Sequence, residues 1–261
     1  MNKTIIVANQ KGGVGKTTTV VNLCAYLAEA GMKTLVVDLD SQGNSCSGLG
    51  VKKDLNEKGL YEALLGLVDI REIVLSTSVK NLSVVPSNIN LSGAQVELVE
   101  MDDREYRLKN AVDMLKDQFD FIFIDSPPSL GLLTINGLVA ADSIIIPIQC
   151  EYYALEGLSQ LLKTINLVKS KLNPGLRIEG VLLTMYDTRT NLSKQVVEEV
   201  ISYFKNKVYK TIIPRNVKLA EAPSFGKPIS LYDSGSVGAL SYYNLSKEFL
   251  KNGEKGTGKG A

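Results

Sequence analysis

The chain has 261 residues, 44% of them hydrophobic and 22% charged, with a formal net charge of +1. A chain of this size folds as one large domain or two small ones and buries roughly three quarters of its extended surface, and the composition excludes a disordered or fibrous protein. Histidine is absent, which excludes Ser-His-Asp triads, imidazole acid–base chemistry and His-ligated metals. The three cysteines, Cys24, Cys46 and Cys150, have no CxxC spacing. They point to a reducing compartment and away from a zinc site or a cluster held within one chain.

In chain order, short apolar runs rich in Val and Ile predict strands at Thr4–Ala8, Thr34–Val37, Leu82–Val85, Phe121–Ile124, Ser143–Ile148, Gly180–Leu183 and Val208–Ile213. Such runs suit a parallel sheet covered on both faces. Helices are predicted between them over Lys16–Ala30, Arg104–Gln118, Ala154–Lys171, Leu192–Lys205 and Val237–Leu250. The alternation implies an α/β fold: a doubly wound, mostly parallel sheet with helices on both faces. No internal linker or repeat divides the chain, so a single domain over residues 1–251 is expected, with a flexible Gly-rich tail over 252–261. After Lys3 only Ile5, Ile6, Val7 and Ala8 precede polar residues, too few for a signal-peptide core. No run spans a bilayer, and a cytoplasmic location is expected.

The strongest chemical signal is VANQKGGVGKTTT, from Val7 to Thr19, between the first strand and the first helix. This is the setting of a P-loop NTPase. Gly12, Gly13 and Gly15, with Val14 between them, let backbone N–H groups turn inward around phosphate oxygens. The helix N-terminus adds further donors. Lys16 is placed to reach the β/γ-phosphates, the Thr17 hydroxyl to ligate Mg²⁺, and Thr18 to add a phosphate hydrogen bond. The usual spacing wants Gly at position 10, where Gln10 stands, and a second lysine, Lys11, precedes the glycines. Acidic residues follow two strands. Asp38 and Asp40 close LVVDLD, and Asp125 ends FDFIFID, which reads as a Walker B carboxylate for Mg²⁺. Two readings of Asp38 stand open, a support of the Mg²⁺ shell and a turn cap.

KGGVGKTT, VDLDSQGN, IDSPPSLG, PIQCEYYALEGLSQLL and IPRNVKLAEAPSFGKPI occur in order along nearly the whole chain. Together they resemble the ParA/Soj partitioning ATPases of the deviant Walker A (ParA/MinD) superfamily. The resemblance implies an Mg²⁺-dependent ATPase that forms an ATP-bound sandwich homodimer, binds DNA without sequence preference and works with a ParB-type partner on the nucleoid. It implies that Lys11 crosses to the partner's nucleotide, that Asp40 positions the attacking water, and that Pro214, Arg215 and Asn216 contact adenine. Met185 would cover the other side of the base, although filling the core is an equal reading of that residue. Glu151 would reach the partner's ribose, and Arg189 and Lys218 would contact DNA.

Charge counting bears on the last point. Residues 1–150 carry 13 Lys+Arg against 18 Asp+Glu, and residues 151–261 carry 16 against 10. A basic C-terminal half suits a polyanion, and it equally suits scattered solvated lysines. Two relatives of the superfamily serve as rivals. A MinD-like membrane-positioning ATPase needs an amphipathic C-terminal helix, which Ser246–Lys251 and the Gly/Lys tail do not supply. An electron-transfer iron protein needs paired cluster cysteines, which the three here do not form.

Overall fold

A computed structural model describes residues 2–51, 58–151 and 156–257. Seven strands form one sheet: β1 Lys3–Val7, β2 Thr34–Asp38, β3 Leu75–Ser76, β4 Leu82–Val85, β5 Phe121–Asp125, β6 Ser143–Gln149 and β7 Arg177–Thr184. Their order is β3-β4-β2-β5-β1-β6-β7, and every pairing is parallel except β3 with β4. The helices are α1 Lys16–Glu29, α2 Asn44–Gly48, α3 Leu60–Leu65, α4 Ala94–Val99, α5 Arg107–Asp113, α6 Leu132–Ala140, α7 Glu156–Lys171, α8 Asn191–Phe204, α9 Val217–Glu221, α10 Ile229–Tyr232 and α11 Val237–Thr257.

The period of two along each strand sorts its side chains into two cores. Ile5 and Val7 of β1, with Phe121 and Phe123 of β5, pack beneath α1 and α11. Ile6, Ile122 and Ile124 point the other way, against α3 through α8. Because both faces are covered, the strands are continuously apolar, as the sequence implies.

Three differences from the sequence reading have physical causes. Val208–Ile213 is not a strand. Its backbone joins β7 at a bridge between Val181 and Val208, and through Tyr209 N–H to Val181 O and Ile213 N–H to Leu183 O. Between those points the N–H groups of Lys210 and Thr211 turn away and donate to the Glu248 carboxylate at 2.7 and 2.9 Å. The two-residue β3 is too short to show periodicity. Helix α11 continues to Thr257, beyond the expected end at Leu250, so regular structure reaches into the predicted tail. The start of the predicted helix at Ala154 and residues 258–261 lie outside the described residues.

The carboxyl ends of β1, β2 and β5 come together in register. Ile6 pairs with Ile124, Val7 with Asp125, and Asp38 with Asp125. This edge is where ligands bind in open parallel sheets.

Candidate functional site

The loop between β1 and α1 is shaped by its glycines. Gly13 and Gly15 have φ of 73° and 87°, a left-handed conformation that side chains resist. Gly15 is also the N-cap of α1 and makes no side-chain cap bond, leaving the first N–H groups of the helix for a ligand. The loop is anchored from β7, where the Thr184 hydroxyl donates to Val14 O at 2.9 Å. Lys16 is buried, its ammonium 3.4 Å from the carbonyl of Lys11. Burial lowers its pKa, while Asp125 and Asp40 pull the other way. The backbone N–H of Lys11 donates to Asn9 Oδ1, and the Lys11 side chain is half-buried and forms no ion pair among the described residues.

Asp125 is the electrostatic centre. It is fully buried, and its Oδ2 accepts hydrogen bonds from the Thr17 and Ser45 hydroxyls, both at 2.7 Å. Its Oδ1 is buried with no hydrogen-bond partner among the described residues. Desolvation and the neighbouring Asp38 carboxylate push its pKa well above the usual carboxylate range, while Ser45, Thr17 and Lys16 hold it down. Asp38 is buried too, and takes the N–H groups of Asp40 and Cys46 at 3.3 and 3.1 Å. These bonds make it a turn cap, and the β2–β5 register sets it beside Asp125. Asp40 is only partly buried and takes the Gln42 N–H at 3.0 Å. Two adjacent buried carboxylates and an unsatisfied oxygen leave a local deficit of positive charge, which a divalent cation beside Thr17 fits.

A cavity of about 440 Å³ opens above these groups. Gly12, Gly13, Lys16, Thr17, Thr18 and Asp40 line it. A smaller one of about 170 Å³ adjoins it, sharing Gly15, Thr18 and Met185. Met185, Pro214, Arg215 and Asn216 meet around that second cavity, as the sequence reading groups them. Met185 has φ of 51°, an uncommon backbone for a side-chain-bearing residue, and such outliers collect at ligand sites. Asn216 caps α9 through the N–H of Leu219, and Arg215 forms an ion pair with Glu151 at 2.8 Å.

Arg189 and Lys218 line neither cavity. Arg189 is highly exposed and doubly hydrogen-bonded to Asp187 at 2.9 and 2.7 Å. Lys218 pairs with Glu221 at 3.0 Å and lies over the Tyr232 ring. Sequence reasoning missed Ser45, which holds Asp125 from α2, and Asn22, Lys227 and Tyr242, which line the cavities. The serine within VDLDSQGNS was the available signal for the first; the others are brought in by tertiary packing.

Comparison with known proteins agrees with this geometry. A family described as an AAA domain matches residues 2–178. The sporulation initiation inhibitor protein Soj of Bacillus subtilis is 59% identical over 253 residues, which are 97% of this chain and 100% of the relative. The chromosome partitioning protein ParA of Myxococcus xanthus is 57% identical over 251 residues, 96% of this chain and 89% of the relative. A solved structure of cobyrinic acid a,c-diamide synthase from Mycobacterium smegmatis, with bound ADP and magnesium, matches with a TM-score of 0.86 at 39% identity. It covers 98% of this chain and 97% of its own. The cell division ATPase MinD of Pyrococcus furiosus matches with a TM-score of 0.79 at 27% identity over 96% and 99% of the two chains. With sequence identity this high over nearly full length, on a chain whose glycine loop, buried lysine and paired buried carboxylates meet at one edge of a parallel sheet, the chain belongs to the Soj/ParA family of chromosome-partitioning ATPases.

Proposed function

We propose that the chain binds ATP with Mg²⁺, hydrolyses it, and couples that cycle to an ATP-dependent sandwich dimer that holds DNA without sequence preference. The observation that carries the reading is Asp125: one oxygen holds Thr17 and Ser45, and the other is buried without a donor beside Lys16. Thr17 and Asp125 would hold Mg²⁺, with Asp38 supporting from behind. The cation, when bound, neutralises phosphate oxygens and the two carboxylates together. Lys16 and the N–H groups of Gly12 to Thr18 bind the phosphates. Pro214, Arg215, Asn216 and Met185 enclose the base. Asp40, partly exposed at the cavity, orients the attacking water, a task of positioning more than of basicity.

Lys11 supplies the positive charge across the dimer. Its lack of an ion-pair partner among the described residues is consistent with a partner in the other subunit. Glu151, assigned to the partner's ribose, first leaves Arg215, and that exposed pair is weak enough to exchange. Arg189 and Lys218 contribute to a basic DNA-binding face from the half of the chain that carries the excess of Lys and Arg. A ParB-type protein bound at a centromere-like site accelerates hydrolysis, and the protein is cytoplasmic and associated with the nucleoid.

Co-sedimentation tests the reading. The chain is spun with non-specific duplex DNA and, separately, with anionic vesicles, each with ATP or ADP at two salt concentrations. Pelleting with DNA only with ATP and only at low salt is the expected result. Pelleting with vesicles in its place replaces this reading with the MinD-like one, and an absence of ATP turnover removes both.

A further inference from the structure

Beyond the phosphate loop, the larger of these two cavities is also lined by Ala222, Pro223 and Lys227. Their segment is fastened at two places. At one, Gly226 and Gly50 touch backbone to backbone. A Cβ at Gly226 would lie 2.8 Å from Gly50 Cα, and one at Gly50 would lie 2.5 Å from Gly226 O. Gly50 lies two residues beyond the end of α2, the helix whose Ser45 and Cys46 hold Asp125 and Asp38. The other fastening is Asn22, nearly two turns into α1 and 4% exposed. Its Nδ2 donates to Thr18 O at 2.8 Å, and its Oδ1 accepts the Ile229 N–H at 2.6 Å. Ile229 is the first residue of α10, so its N–H has no acceptor inside its own helix. Only one orientation of the amide satisfies both bonds, because a flip would set donor against donor.

We propose that Asn22 is a positioning residue that ties nucleotide occupancy of the first turn of α1 to the 222–232 segment, and through it to α9 and α11. The inference rests on the nucleotide reading above. Thr18 lines both cavities, so a bound nucleotide orders the turn whose carbonyl Asn22 holds. A single planar amide joins that carbonyl to the N–H that starts α10. Ordering one end therefore lowers the entropic cost of ordering the other, a coupling that needs no large displacement. A second buried tie, Thr19 Oγ1 with the Tyr242 hydroxyl at 3.2 Å, runs from α1 to α11 beside it.

Hydrogen exchange on the full chain, with and without a non-hydrolysable ATP analogue and Mg²⁺, tests this. In the unaltered chain the nucleotide slows exchange over 222–232 by about tenfold. Asn22→Ala loses that increment but keeps the nucleotide-dependent protection of residues 11–19. Its KM for ATP rises about tenfold, as loss of buried hydrogen bonds implies, while kcat changes by less than about threefold. Asn22→Asp retains an acceptor for Ile229 but no donor for Thr18. It keeps the apo protection of 229–232 and loses the nucleotide-dependent increment, and it carries the test alone if the alanine variant does not fold. Nucleotide-dependent protection of 222–232 equal to that of the unaltered chain, in either variant, overturns the inference. So does an unaltered chain in which residues 11–19 respond and 222–232 do not. An unaltered chain that shows no protection anywhere overturns the nucleotide reading itself.

Discussion

Asp125 sits where a carboxylate is hardest to keep charged. It is buried, adjacent to a second buried carboxylate, and satisfied on only one oxygen. Without a cation the folded chain bears that repulsion. Asp125→Asn is therefore expected to raise apo stability at pH 8 by about 1–3 kcal/mol, read as a higher melting temperature, while abolishing the Mg²⁺ dependence of nucleotide binding. A lower melting temperature would mean that the neutral side chain breaks more with Thr17 and Ser45 than it relieves. Lys16→Ala removes the one buried ammonium at the cavity. ATP affinity should fall by more than about 100-fold by fluorescence titration, since a charge-assisted phosphate contact in a dry site is worth several hydrogen bonds. Asp40→Ala is different in kind, because the Asp40 carboxylate accepts the Gln42 N–H of its own turn and the substitution leaves the Asp40 carbonyl that takes the Ser87 hydroxyl in place. The expected outcome is retained ATP binding with hydrolysis reduced at least about 100-fold in a phosphate-release assay.

Among the secondary-structure elements, the extended segment 208–213 shows how a side chain replaces a sheet. Glu248 on α11 accepts from Lys210 N–H, Thr211 N–H and the Thr211 hydroxyl, so one carboxylate holds three donors that β7 does not reach. Glu248→Ala should lower stability by about 1–3 kcal/mol in denaturant melts, with the loss confined to the 208–216 end if exchange is followed by segment. Periodicity alone reads these six residues as a strand because Val208, Tyr209, Ile212 and Ile213 have strand-forming side chains, and the competing acceptor lies some forty positions along the chain. The same reasoning sorts the rest. The β1–α1 loop was legible because its glycines, lysine and threonines are contiguous and each has a local backbone task. The grouping of Met185 with Pro214, Arg215 and Asn216 came from family resemblance, since no spacing joins β7 to the loop before α9. Asn22 and Ser45 were not legible. Asparagine and serine within helices are common, and only packing reveals that both are buried against the site.

At the scale of the molecule, the excess of base over acid lies in residues 151–261, the half that carries Arg189 and Lys218, the groups proposed to meet DNA, and not the acidic ends of β2 and β5. Arg189→Glu should weaken ATP-dependent DNA pelleting and flatten its dependence on salt while ATP turnover without DNA is unchanged, because the residue lines neither cavity. The sheet order has a bearing on how the molecule is made. Strand β1 is made before its two sheet neighbours, β5 and β6, the earlier of which begins at Phe121. At roughly 5–20 residues per second, the nascent chain waits on the order of 6–25 s before that edge finds a partner. During that interval Ile5, Ile6 and Val7 are an uncovered adhesive strip, and a chaperone acting on this protein during translation would find its first client sequence there.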